Sequence, residues 1–169
     1  DAPIARSASA DNEFDFSQLP RARFDVAAAF PAVFSSSAEG FDWIVGNPPW
    51  VAFQGRATQP IEKELRAFYK ARYVAFTGYP TTQGMFAERA VELAPRGVVS
   101  LLVPSSLSDL DGYAQTRRAV TKSHRIAEPL LEFGQDAFAQ VVQPCFGLIA
   151  VAKQLADAGS DAPFQLEER

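Results

Sequence analysis

Two consecutive prolines, Pro48 and Pro49, stand directly after the run Phe41-Asp42-Trp43-Ile44-Val45-Gly46 and limit what this chain can fold into more than any other feature. Trp43-Ile44-Val45 is aromatic and β-branched, which suits an extended strand, and Gly46 punctuates it. Each proline lacks a backbone N–H and has a fixed φ, so residues 47 to 50 cannot prolong a strand ladder. The segment predicts a buried strand that stops abruptly at the rim of a sheet and gives way to a rigid loop.

That loop, Asn47-Pro48-Pro49-Trp50, holds one amide side chain, backbone carbonyls with few competing donors, and one large ring. Such a set can grip a flat ring bearing an amino group. The ring stacks on Trp50, while the Asn47 side-chain oxygen and the Pro48 carbonyl accept the two amino hydrogens. The plainer reading is an ordinary proline loop in which Trp50 covers the edge of a core.

The rest of the chain reads as alternating strands and helices. Residues 1–20 are polar and form a lead-in, and residues 35–40 form a loop. Ile61, Leu65, Phe68, Tyr69 and Tyr73 have helical spacing. A break over residues 77–82 precedes a second helix from about Gln83 to Leu93, which Pro95 and Gly97 end. Val98 to Val103 is a continuous apolar run, as in an inner parallel strand. A third helix is expected over about Ser108 to Lys122. An outer strand is expected over Ile126 to Phe133, with Pro129 tolerated at an edge, and a last strand over Phe146 to Val151. Strands alternating with helices imply an α/β layered sheet, and the final two strands, joined without a helix, can run antiparallel.

At 169 residues, 47% hydrophobic and 21% charged, the chain has the composition of one globular domain or part of one. The expected division is a flexible lead-in over 1–23, a domain over 24–153 and a polar tail or linker over 154–169. Its one cysteine, Cys145, opens an apolar run; it excludes an internal disulfide and suits a reducing cytoplasm. No apolar segment approaches the roughly 18 residues that span a bilayer, so no membrane partner is expected. One histidine, His124, and one cysteine give no metal-ligand pattern, and His124 is expected to be structural or exposed near a helix end. The net charge of −4 argues against indiscriminate nucleic-acid affinity, but its distribution is uneven. Residues 54–72 include Arg56, Lys63, Arg66, Lys70 and Arg72, and residues 113–125 include Arg117, Arg118, Lys122 and Arg125 without an acid. Either segment can contact phosphates or form a solvated helix face; Arg56, Arg117, Arg118 and Lys122 are the phosphate candidates.

Phe41 to Trp50 resembles motif IV of the S-adenosylmethionine-dependent amino-methyltransferases that methylate the exocyclic amine of adenine in DNA. Phe24-Asp25-Val26 and Phe30-Pro31-Ala32-Val33-Phe34 resemble the lead-in of type IIG restriction–modification methyltransferases and their BREX phage-defence relatives. Gly84 to Ala90 with Leu93 is similar to their helix before the fifth strand. Arg96 to Ser106 is similar to that strand and its exit, and Tyr113 with Arg117-Arg118 to the helix after it. The resemblance covers roughly residues 24–153.

It implies a partial Rossmann-like α/β fold, with a mostly parallel sheet ending in an antiparallel hairpin and helices on both faces. It implies S-adenosylmethionine as cofactor and double-stranded DNA with a flipped adenine as partner. Asn47, Pro48, Pro49 and Trp50 become the catalytic set. Phe138, or else Phe146, is the candidate for the second aromatic wall that often closes such a pocket, with core packing the plainer role for both. Such a fold holds its cofactor with a glycine-rich turn after the first strand and an acid after the second. None of the ten glycines forms a Gly-x-Gly pair, so the chain reads as the half from motif IV onward. The strand ending at Asn47 is then expected at an open sheet edge, ready to pair with the rest of a parent chain or with a second copy. Alternatives are a methyltransferase acting on protein glutamine or RNA, and a non-catalytic module keeping the fold.

Overall fold

The computed structural model describes residues 24–35, 40–55, 58–135 and 143–158. In chain order the elements are α1 (Val26–Ala29), β1 (Trp43–Gly46), α2 (Lys63–Arg72), α3 (Thr82–Leu93), β2 (Val98–Pro104), α4 (Ser106–Asp109), α5 (Ala114–Thr121), β3 (His124–Ile126), β4 (Leu131–Gly134), β5 (Cys145–Ala152) and α6 (Lys153–Ala158). Short 3-10 turns occupy Val74–Thr77 and Asp111–Tyr113.

One sheet holds all five strands of the described residues. β1 pairs parallel with β2, β2 antiparallel with β5, and β5 antiparallel with both β3 and β4. Four strands therefore run the same way and β5 alone is reversed, which is the mostly parallel sheet with a terminal antiparallel return expected from sequence. The C-terminal ends of β1, β2 and β4 consequently come out on one rim, where β5 begins.

Strand alternation assigns the two faces. Ile44 on β1 lies beside Val99 on β2, which lies beside Ala150 on β5; Leu101 with Leu148 and Val103 with Phe146 continue the same face. This face is the core, closed by Ala87, Ala90 and Val91 of α3, Leu107 of α4, and Val120 of α5 with Tyr113 just before it. Phe146 is 1% exposed within it, so it packs the core and does not wall a pocket. The opposite face carries Trp43 and Val45, which are 65% and 77% exposed. β1 is thus an alternating edge strand, not the buried strand its composition suggested; aromatic and β-branched content fits either, and only the partners decide.

The start of β1 is held by close backbone approach. Phe41 N–H donates to the Leu93 carbonyl at 2.8 Å, and Val98 N–H to the Asp42 carbonyl at 2.8 Å. A Cβ at Gly97 would lie 2.4 Å from the Phe41 carbonyl oxygen and 2.5 Å from that of Asp42, so only glycine fits there. Phe30 and Phe34 both meet the Phe41 ring edge-on at 5.4 Å.

Three boundaries differ from expectation. The helix expected over 108–122 is split into α4, the 3-10 turn and α5, because Leu110 adopts extended backbone at ψ 135° and Gly112 follows closely. The outer strand is two, β3 and β4, with Pro129 between them; both still pair with β5. Beyond β5 the chain continues as α6 rather than directly as a polar tail. Buried Cys145 opens β5 as a free thiol, and burial pushes its pKa up. Among the described residues no helix is long and apolar enough to cross a membrane.

Candidate active site

The loop after β1 leaves the sheet at the rim where the parallel strands end. Asn47 is exposed, Pro48 buried, Pro49 exposed and Trp50 half-buried. Among the described residues the Asn47 amide has no hydrogen-bond partner, which leaves its oxygen and both amino hydrogens for a ligand. The Trp50 indole N–H donates to the Leu102 carbonyl on β2 at 3.2 Å.

Beyond Trp50 the chain is strapped to the start of α3. Val51 N–H donates to Thr82 Oγ1 at 3.0 Å, and Thr82 N–H donates to the Val51 carbonyl at 2.9 Å. The Thr82 hydroxyl in turn donates to the Pro49 carbonyl. Phe53 N–H donates to the Pro80 carbonyl at 2.9 Å, the Tyr79 hydroxyl to the Gln54 carbonyl at 2.8 Å, and Arg66 Nη2 to the Phe53 carbonyl at 3.1 Å. Thr81 caps α3, accepting from Gly84 N–H at 3.2 Å. The proline loop is therefore not merely stiff by composition. It is fixed by helices α2 and α3 and by strand β2.

Buried polar groups beneath the strap are mostly paired. Glu88 on α3 accepts from Val74 N–H at 3.1 Å and Ala75 N–H at 2.8 Å, which satisfies the start of the Val74–Thr77 turn. Gln83 Nε2 donates to the Tyr113 hydroxyl at 3.2 Å. Burial pushes the Tyr113 pKa up, against hydrogen bonds from Ser106 and Gln83, so the phenol stays neutral. On the outer side of α3, Arg72 forms a two-pronged ion pair with Glu92, which Arg89 also contacts at 2.9 Å. Burial alone would raise the Glu92 pKa, but the two guanidiniums hold it below the usual carboxylate range.

The sequence-derived phosphate candidates fare unequally. Arg117 is committed inside the molecule: its Nη1 donates to the Leu107 carbonyl at 3.0 Å and the Leu110 carbonyl at 2.9 Å, replacing helix bonds lost at the α4–α5 break. Arg118 and Lys122 are exposed on and just after α5. Arg56 and Phe138 lie outside the described residues. His124 lies just past the end of α5, as expected, and opens β3; it is fully buried and structural, with Nε2 3.0 Å from the carbonyl of Ala94, the C-cap of α3, and Nδ1 2.8 Å from Ser123 Oγ. Of the residues that secure the loop, Thr82 and Tyr79 are not singled out by the sequence, and Arg66 only as a member of the basic segment over residues 54–72. Their one sequence signal is the threonine pair at the start of a helix that follows a proline loop.

A mostly one-way sheet with its strand ends at a single rim, where the Asn-Pro-Pro-Trp loop leaves β1, is the frame of a Rossmann-like methyltransferase domain. The sequence profile described as Eco57I restriction-modification methylase matches residues 7–138. The chain belongs to the Eco57I restriction-modification methylase family. Among solved structures it is similar to a putative class I S-adenosylmethionine-dependent methyltransferase from Listeria monocytogenes, with 16% identity and a TM-score of 0.49. That match covers 76% of this chain and 36% of the Listeria protein.

Proposed function

We propose that this chain forms the target-base side of a DNA methyltransferase that modifies the exocyclic N6 amine of a flipped adenine, in a restriction–modification or phage-defence setting. The observation that carries this reading is the exposed, unpartnered Asn47 amide on a loop clamped at the sheet rim. An aromatic amine is a poor nucleophile because its lone pair is delocalised into the ring. Acceptors that hold both amino hydrogens localise that lone pair and stabilise the positive charge developing on nitrogen. Asn47 Oδ1 and the Pro48 carbonyl take this role, and the Trp50 ring holds the base by stacking, worth about 1–3 kcal/mol. No proton-abstracting side chain is needed for the amine to react.

S-adenosylmethionine would supply the methyl group as an electrophile. The described residues fit the acceptor side of that transfer and not the nucleoside side, since the sequence has no Gly-x-Gly turn to approach it. We therefore assign the nucleoside contacts to a partner surface on the open side of β1, where Trp43 and Val45 are exposed; the remainder of a parent protein or a second copy would supply it. Exposed Arg118 and Lys122 are the remaining candidates for DNA phosphate contact among the described residues.

The test uses the full-length encoded protein with duplex DNA and S-adenosylmethionine, followed by mass analysis of the released nucleosides. N6-methyladenine is expected, and Asn47→Ala should lower kcat by about 100- to 1,000-fold while DNA affinity changes little. Methylated cytosine, methylated protein glutamine, or equal loss of binding and activity would overturn the assignment.

A further inference from the structure

Thr82, we infer, is the positioning residue of the Asn-Pro-Pro-Trp loop, holding the Pro49 carbonyl so that Asn47 and Pro48 present the acceptors. This deepens the proposed function and rests on it.

The argument begins with what two prolines remove. Residues 48 and 49 have no N–H, so the loop cannot be fixed by its own backbone donors there; its carbonyls are the only backbone handles. A donor from elsewhere must take one of them. Thr82 does, through a hydroxyl that donates to the Pro49 carbonyl and accepts from Val51 N–H at 3.0 Å. The Val51 carbonyl lies 3.4 Å from the same hydroxyl, a longer alternative, and is already satisfied by Thr82 N–H at 2.9 Å. One side chain thus grips the loop on both sides of Trp50. The indole, tied to Leu102, makes a third point, and three fixed points determine the orientation of a short rigid segment.

The position of Thr82 in the chain makes the grip rigid. It is the first residue of α3, whose preceding Thr81 caps the helix and whose Ala87, Ala90 and Val91 are buried in the core. The hydroxyl is therefore carried by an element that cannot shift without disturbing the core. With the Pro49 carbonyl engaged, the acceptors left for an amino group are Asn47 Oδ1 and the Pro48 carbonyl, the pair the proposed chemistry needs.

The experiment compares Thr82→Val, which keeps the shape and removes the hydroxyl, with Thr82→Ser, which keeps the hydroxyl, in the full-length protein alongside Asn47→Ala. For Thr82→Val, kcat should fall by about 100-fold, the cost expected from displacing a reacting group by about an ångström. KM for DNA should stay within about threefold, and Thr82→Ser should recover most of the rate. Amide exchange at Val51, the donor to the hydroxyl, should accelerate in Thr82→Val and not in Thr82→Ser. Unchanged Val51 exchange in Thr82→Val, or a Thr82→Ser variant as slow as Thr82→Val, would overturn the positioning role. Unchanged activity in Asn47→Ala would instead overturn the reading of the loop as catalytic, and Val51 exchange would still decide whether Thr82 holds it.

Discussion

The Trp50 indole N–H donates to the Leu102 carbonyl at 3.2 Å, one residue past the point where β1 stops pairing with β2 at Gly46 and Leu101. The side chain thus occupies a bonding position that the strand itself can no longer reach, because Pro48 and Pro49 bring no N–H to it. The ring is held by its edge and stays partly accessible.

Trp50→Phe should accordingly separate anchoring from stacking. It removes the N–H and keeps an aromatic face, so stability should drop by about 1 kcal/mol while base capture persists. Trp50→Ala should lose both. Fluorescence enhancement of 2-aminopurine placed at the target position measures capture; an undiminished signal in Trp50→Ala would assign the ring to packing alone.

Arg117 and its neighbours should respond differently to substitution. Arg117→Ala frees two carbonyls at the α4–α5 break and is expected to cost about 1–3 kcal/mol in thermal or denaturant unfolding, without altering how DNA affinity depends on salt. Arg118→Ala and Lys122→Ala should leave stability within about 0.5 kcal/mol. Each should reduce the slope of log affinity against log salt by about one if it contacts a phosphate.

His124 gives a pH dependence with a defined sign. Burial lowers its pKa and the Ala94 carbonyl opposes that only in part, so the folded state prefers the neutral ring. Since a carbonyl only accepts, Nε2 carries the proton and Nδ1 accepts from the Ser123 hydroxyl. A histidine depressed on folding contributes stability above its unfolded pKa of about 6.5 and loses that contribution as pH falls through the folded value. The Tm should therefore fall more steeply between pH 7 and 5 in the wild type than in His124→Gln. Parallel pH profiles for the two proteins would exclude this role.

The strand-and-loop order was legible because prolines, glycines and apolar runs are local signals. Residues 41–50 announce a strand that stops and residues 98–103 a strand that lies inside; that the two pair in parallel is shown by the structure alone. Facing was not legible. Phe146 reads as core first and as pocket wall second, and its pairing with Val103 on the helix-covered face settles it as core. Arg117 belongs to a basic run, and nothing in its neighbours shows that the helix before it breaks and needs its guanidinium. Thr82 contacts Pro49 across 33 positions of sequence, a distance over which composition carries no information.

Gly97 extends that lesson to the whole site. It sits at the opposite end of the β1–β2 pair from Asn47, where the lack of a Cβ lets the Phe41 and Asp42 carbonyls close onto the chain. That contact locks Trp43 opposite Val98, and the four-residue strand then delivers Gly46 opposite Leu101. A slip of a single position would carry Asn47 about 3.3 Å along the strand axis and exchange the two faces of the sheet. Where the Asn47 amide stands on the rim is therefore gauged from the other end of the β1–β2 pair, by a residue that has no side chain of its own.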